Sequence, residues 1–418
     1  MRVTIFSSNV VLTFGGKMNS RKRLAIIAIA TSALFVSTTP AFAATTIDGS
    51  GATFAAPLID ACRIDYEKET GNQVNYVGGG SGKGRNDFKA GLYPFAGSDA
   101  PYSPRSLEPA NLIYAPIFAA PIAIMYNLPT VKESIYLSPA TLAKIFSGVI
   151  TNWNHPDIAK DNERTIKSPV FKTKQVKVTT INKKTKKKTT STKTVPALDS
   201  KGQAIVASYT TTAVNIDLPN QAITVWYRSE SSGTTENFAG FLKAANAKSN
   251  PELWPKNRNG TFANTTPKSL VNYFNFQGAS GSAAVTAGVA RTVGGISYSE
   301  LSFATDAKLG IANILNAAGE WVAPSSAGTT LFVGGGTIGA DGVVTYDYEK
   351  NIPGAYPLGV VSYGLAGSSG TDSRIQQSVA AWFTYVLEKC PTKYPEKGFA
   401  QITGPLAAKA KEQIAKIK

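Results

Sequence analysis

The stretch that most constrains this chain is Arg228-Ser-Glu-Ser-Ser-Gly-Thr-Thr235, which lies between an apolar, β-prone run, Ile223–Tyr227, and an amphipathic run, Glu236–Asn246. A strand that ends on arginine and turns through Ser-Gly-Thr into a helix aims unpaired backbone N–H groups, two hydroxyls and a guanidinium at one point. That set of groups suits a tetrahedral oxyanion. Anion binding is therefore the first expectation.

Two earlier stretches repeat the device. Gly49-Ser-Gly-Ala-Thr-Phe54 precedes the helical pattern Ala56–Glu69, and Gly78-Gly-Gly-Ser-Gly-Lys-Gly84 precedes Arg85–Ala90. A single Ser/Thr/Gly helix start is usually only a cap. Three in one chain point to a shared ligand, because glycine lets backbone amides approach it closely. Nucleotide hydrolysis is disfavoured at Gly78–Gly84, where Lys83 is followed by Gly84 rather than Ser or Thr. Ser231 and Ser232 do not form the Gly-x-Ser-x-Gly elbow of hydrolases.

Residues 1–43 read as a signal peptide. Arg21-Lys-Arg23 precedes an apolar run from Leu24 to Val36, and Ala41-Phe-Ala43 is a small-x-small cleavage site. Met18 is an alternative start. Ala44 stands where a lipid anchor needs cysteine, so the expectation is an exported, unlipidated protein, periplasmic or at the cell surface. The remaining length suits two domains. The formal net charge of +16 is local: residues 1–43 carry five basic and no acidic side chains, and residues 164–203 carry eleven Lys, one Arg and one Asp. The rest is neutral, which leaves no general nucleic-acid signature.

Cys62 and Cys390 form either a disulfide or two separate thiols, a choice the spacing leaves open. The single His155, in Asn152-Trp-Asn-His-Pro156, reads as structural or surface. With one histidine there is little material for a zinc site or a His-dependent nucleophile, so no metal, cofactor or catalytic residue is expected.

The coarse pattern is α/β. Strands are expected at Gln73–Val77, Tyr93–Ala96, Phe118–Asn127, Gly295–Tyr298 and Tyr356–Tyr363. Helices are expected at Pro139–Phe146 with Ser138 as cap, Ser269–Phe276, Ser282–Val289, Asp372–Glu388 and Leu406–Ile417, and 152–157 reads as loop. Gln175–Asn182, a lysine-dense tip Lys183–Lys188 and Thr189–Val195 predict a protruding hairpin with solvated lysines.

Five motifs in order, Gly51-Ala-Thr-Phe54, Gly80-Ser81, Gly97-Ser-Asp-Ala-Pro101, Ile145-Phe-Ser-Gly148 with Asn152-Trp153, and Arg228-Ser-Glu-Ser-Ser-Gly-Thr234, resemble the substrate-binding protein of the bacterial high-affinity phosphate ABC transporter. Glu-Ser-Ser-Gly-Thr-Thr with Gly82-Lys-Gly84 also resembles the related DING branch. The resemblance runs through most of the mature chain and breaks mainly at 164–212. It implies a two-domain periplasmic-binding-protein-like fold of type II, with hinge strands and a ligand cleft between domains. Residues 44–120 plus 322–418 would form domain I, and 121–321 domain II. It also implies that Thr53, Phe54 through its amide, Ser81, Asp99, Arg228, Ser232 and the amides of Gly233 and Thr234 contact phosphate. Glu230, where the family has Asp, would support Arg228, and Ser231 replaces a glycine. The implied protein is a monomer that delivers phosphate to a membrane permease, not an enzyme. The alternatives are a secreted phosphatase or phosphoryl-transfer enzyme using the same site, and a surface adhesin displaying the basic segment, which would suit envelope polyanions.

Overall fold

The computed structural model describes residues 3–7, 10–14, 44–181, 186, 188–270, 274–370 and 372–418. They fall into two compact units, Met1–Ala44 and Thr45–Lys418. In the first, Val3–Ser7 and Val10–Phe14 form an antiparallel ladder. The basic cluster and apolar run read as a leader lie outside the described residues. Among the described residues no helix is long and apolar enough to cross a membrane.

The second unit begins with β1 (Thr46–Gly51), α1 (Ala56–Thr70), β2 (Gln73–Gly78), α2 (Ser81–Lys89) and β3 (Phe95–Ser98). Strand β4 (Leu112–Tyr126) follows, then α3 (Pro139–Phe146) and α4 (Pro156–Asn162). A ribbon segment contributes β5 (Glu163–Phe171), β6 (Thr173–Ile181), β7 (Lys188–Pro196) and β8 (Val206–Asn215). The chain then returns through β9 (Thr224–Arg228), α5 (Gly233–Asn246), β10 (Phe276–Ala279), α6 (Ser282–Arg291), β11 (Gly295–Glu300) and β12 (Gly310–Ile311). Strand β13 (Gly359–Gly367), α7 (Ser373–Lys393) and α8 (Gly404–Ile414) close it.

One nine-stranded mixed sheet, in the order β10-β9-β11-β4-β13-β3-β1-β2 with β12 also on β4, organises this unit. Strand β4 is its spine, buried at every residue after Leu112. Its first part pairs with β13 as far as Gly359↔Pro121, and its second part pairs with β11 from Glu300↔Ile122. The partner therefore changes between Pro121 and Ile122. Proline has no N–H for a ladder and belongs at irregularities. Pro121 stands at the changeover, and Pro116 adjoins the register shift at Ser362/Tyr363. That is why one strand carries two prolines and begins six residues before the expected Phe118.

Most expected elements are present, with informative shifts. Helix α2 starts at Ser81 rather than Arg85 and takes in Gly82 and Gly84, although glycine inside a helix costs about 1 kcal/mol relative to alanine. Close packing explains their presence. A Cβ on Gly82 would lie 2.4 Å from Ser231 Cβ, and one on Gly84 would lie 2.6 Å from Gly51 Cα. The helix expected at Ser269–Phe276 is not found in the described part of that span, since Phe276 opens β10 and Phe274 is exposed. Short apolar runs do not by themselves distinguish helix from strand. Helix α4 lies partly in the segment read as loop, capped by His155, whose Nδ1 accepts from Asp157 N at 3.1 Å. Strands β3 and β13 begin two and three residues later than expected.

The basic segment is a hairpin as expected, but longer. Strands β6 and β7 pair antiparallel from Thr173↔Pro196 to Ile181↔Lys188, and β5 and β8 form a second antiparallel pair beneath them. Lys172 N donates to Ile205 O and Ala197 N to Lys172 O, both at 2.7 Å, which joins the two ladders.

Helix α7 buries Val379, Trp382, Phe383 and Val386 on one face, at helical spacing. Cys390 on α7 is bonded to Cys62 on α1, with Cα atoms 5.8 Å apart and both residues fully buried. The bond closes a loop across a sequence separation of 328 and ties α1 to α7. The expected outcome is that unreduced protein takes up no alkylating reagent at cysteine by intact mass. Replacing both by alanine should cost about 2–5 kcal/mol of stability.

Candidate anion site

Three strand ends and the helix starts that follow build the site. Strand β1 ends at Gly51 and leads through Thr53 and Phe54 into α1, β3 leads into Asp99, and β9 ends on Arg228 before Ser232 caps α5. Gly51 holds φ at +141°, and a Cβ there would meet Gly97 O at 2.0 Å, so only glycine lets β1 and β3 close at this point. Gly82 N donates to Ser231 O at 3.0 Å, which joins the start of α2 directly to the loop before α5. Gly233 packs against the same place, where a Cβ would lie 2.6 Å from Ser81 Oγ and 3.0 Å from Asp99 Cβ.

Arg228 is 1% exposed. Its Nη2 donates to Thr53 Oγ1 at 2.7 Å, and its Nη1 donates to Ser282 Oγ at 3.1 Å and Thr234 Oγ1 at 3.4 Å. Its Nε donates to Glu230 Oε1 at 2.5 Å, and Nη2 makes an ion pair with the same oxygen. The Glu230 side chain thus reaches the guanidinium. Its other oxygen, Oε2, is buried without a hydrogen-bond partner among the described residues. A buried guanidinium is tolerable only when paired and hydrogen-bonded, and here one carboxylate and three hydroxyls meet it.

Asp99 lies across the cluster, 2% exposed. Ser362 Oγ donates to its Oδ1 at 3.0 Å, Ser81 Oγ lies 3.4 Å from Oδ2 and accepts from Asp99 N at 3.1 Å. Burial raises its pKa from the ordinary carboxylate value to about 6, with the Ser362 bond and the Arg228 charge opposing. Asn237, one turn into α5, donates to Asp99 O at 2.7 Å and Gly233 O at 2.8 Å and so fixes the helix start against Asp99.

Thr53, Phe54, Ser81, Asp99, Arg228, Ser232, Gly233 and Thr234 are all buried or half-buried on these converging segments. Ser232 Oγ accepts from Thr235 N at 3.2 Å as the α5 cap, which leaves its O–H free to donate. The amides of Gly233 and Thr234 lie in the first turn, where a helix offers no acceptor. Ser282 escaped the sequence reading. Its N donates to Thr53 Oγ1 at 3.1 Å, and its Oγ lies 3.2 Å from that hydroxyl. The signal was available, because Gly281-Ser282 is another Gly-Ser helix start. Ser362, in mid-strand and 263 residues from Asp99, had none.

A PBP superfamily domain matches residues 36–389. The phosphate-binding protein PstS 3 of Mycobacterium tuberculosis is 30% identical over 377 residues, covering 85% of this chain and 82% of that protein. The chain belongs to the PBP superfamily and, within it, to the PstS family. The phosphate-binding protein PstS of Haemophilus influenzae is 26% identical over 385 residues, covering 91% of this chain and 96% of that one. Among solved structures, a high affinity periplasmic phosphate-binding protein (PfluDING) bound with phosphate matches with a TM-score of 0.61 at 21% identity, over 88% of this chain and 93% of that one. A DING protein structure matches with a TM-score of 0.60 at 20% identity, over 87% of this chain and 92% of that one. These likenesses place the fold among periplasmic-binding-protein-like structures.

In this candidate site, Arg228→Lys keeps the charge but replaces a planar fork by a point donor. Anion affinity measured by calorimetry should fall about ten- to a hundredfold, the worth of one to two charge-assisted bonds. Ser282→Ala should lower it by less, about threefold to tenfold, by loosening Arg228 and Thr53.

Proposed function

We propose that this protein binds inorganic phosphate outside the cytoplasm and delivers it to an ABC transporter permease in the membrane. The observation that carries the reading is one buried cluster in which Arg228, paired to Glu230, and the hydroxyls of Thr53, Thr234 and Ser282 lie close to a second, fully buried carboxylate, Asp99. Donors alone would suit any oxyanion. An acceptor among them selects an anion that still carries a proton, as phosphate does near neutral pH. Contacts to the anion are assigned to Thr53, the Phe54 amide, Ser81, Asp99, Arg228, Ser232 and the Gly233 and Thr234 amides, with Glu230 in support.

Residues 44–120 with 322–418 are proposed as one lobe and 121–321, with the insert 164–212, as the other, so that the anion sits between them. The partner change on β4 between Pro121 and Ile122 supports that division. The lobes would close over the ligand, and the permease would recognise the closed form. The protein acts as a monomer after removal of residues 1–43, and its basic segment, 164–203, holds it at envelope polyanions. Binding rather than phosphate-ester hydrolysis is favoured because the chain's one histidine is engaged as the α4 cap.

Calorimetric titration of phosphate-stripped protein is expected to show phosphate binding about a hundredfold or more tighter than sulfate, since opposing two unprotonated acceptors in a desolvated site costs about 3 kcal/mol. Comparable affinities would overturn the reading. Asp99→Asn, whose amide can donate to either anion, should narrow the gap.

A further inference from the structure

The ribbon carries an inference about its partner that rests on the proposal above, deepening its placement of the basic segment at envelope polyanions. Opposed residues in an antiparallel ladder share a face, and faces alternate along each strand. The register therefore sorts the lysines of β6 and β7. Lys174 and Lys193 lie on one face, the latter opposite Val176, whereas Lys177, opposite Thr192, and Lys188, opposite Ile181, lie on the other. All four are exposed, and none makes an ion pair among the described residues. Lys167, Lys172 and Lys201 nearby are exposed too. Asp199 is the single acidic residue between 164 and 203, and its Oδ1 accepts from the Lys201 and Gln203 amides within its own turn.

The shape of this charge distribution discriminates between partners. A ribbon of nine-residue strands is about 30 Å long and only two strands wide. A planar membrane can meet one of its faces, and so only two of the four lysines. A flexible chain can pass around both. Membrane-surface elements also carry apolar or aromatic residues that enter the headgroup boundary. Strands β6 and β7 have no aromatic residue, threonine is their commonest side chain, and among their described side chains Val176 is the one large apolar residue that is exposed. A second copy of this chain would bring like charge to like charge, which opposes pairing of its edges.

We infer that the β6–β7 ribbon is a docking site for a flexible linear polyanion bearing phosphate groups, held by lysines on both ribbon faces through counter-ion release. The polymer is gripped around a rod. Its binding is separate from the buried anion site, which no residue of this ribbon enters.

The test uses the full mature chain with inorganic phosphate present at saturation, so that the buried site does not take the probe. Fluorescently labelled long-chain inorganic polyphosphate is titrated by anisotropy over a range of salt, beside vesicles of phosphatidylglycerol and phosphatidylcholine. For the four lysines alone, polyphosphate affinity should fall at least about 50-fold between about 50 and 200 mM salt, from a log–log slope of about 0.7 per neutralised charge on a single-stranded polyanion. The double variants Lys174→Gln/Lys193→Gln and Lys177→Gln/Lys188→Gln should each reduce the slope, by about 1.4. Calorimetric phosphate affinity should be the same in both variants as in the parent, which separates failure of this inference from failure of the phosphate reading. Sensitivity to only one pair, stronger retention on vesicles than on polyphosphate, or binding indifferent to salt would each overturn the inference.

Discussion

A guanidinium buried to 1% exposure is the constraint on which the rest of this structure depends. Stripped of water, such a charge costs several kcal/mol unless its surroundings replace every lost hydrogen bond. Arg228 meets that condition only because Thr53, Thr234, Ser282 and Glu230 converge on it from segments as much as 175 residues apart in sequence. The glycines follow from the same demand. Gly51, Gly82 and Gly233 stand where a methyl group would collide with backbone or side-chain atoms of a neighbouring strand or loop. The sheet order brings the strand ends together, and the missing Cβ atoms let them touch.

The second constraint is the carboxylate on the other side. Burial pushes Asp99 up to about 6, while Ser362, Ser81 and the nearby Arg228 pull the other way. The result is an acceptor that is mostly ionised at neutral pH yet close to taking a proton. An acceptor set among donors would distinguish anions by their protons rather than by their size, which a purely cationic pocket cannot do.

Much of this was legible in the sequence because the decisive signals are local. Arg228 through Thr235 can be read as strand end, turn and helix start without knowing any contact, and Ser138, the α7 face and the β6–β7 hairpin follow equally from capping and periodicity. What was not legible depends on partners remote in sequence. Gly82 and Gly84 read as the entry before the helix rather than part of it, because nothing local reveals that Ser231 and Gly51 press against them. The early start of β4 was obscured by Pro116, whose tolerance depends on a register shift in β13. Ser362 reads as one polar residue in an apolar strand until Asp99 is found beside it. The pairing of Cys62 with Cys390 was open for the same reason.

The central claim is that the proton state of Asp99 decides which anion is held, and the pH dependence of sulfate affinity tests it most directly. With its pKa raised to about 6, Asp99 is an acceptor above that value and becomes a donor as pH falls through it. Sulfate stays fully ionised across this range, so only the protein titrates. Calorimetry should show sulfate affinity rising by up to about tenfold per pH unit as pH falls toward about 6, the limit for uptake of one linked proton, and levelling off below it, where free Asp99 is already protonated; the rise should vanish in Asp99→Asn. Sulfate affinity that is flat or falls through that window in the parent protein would contradict the account.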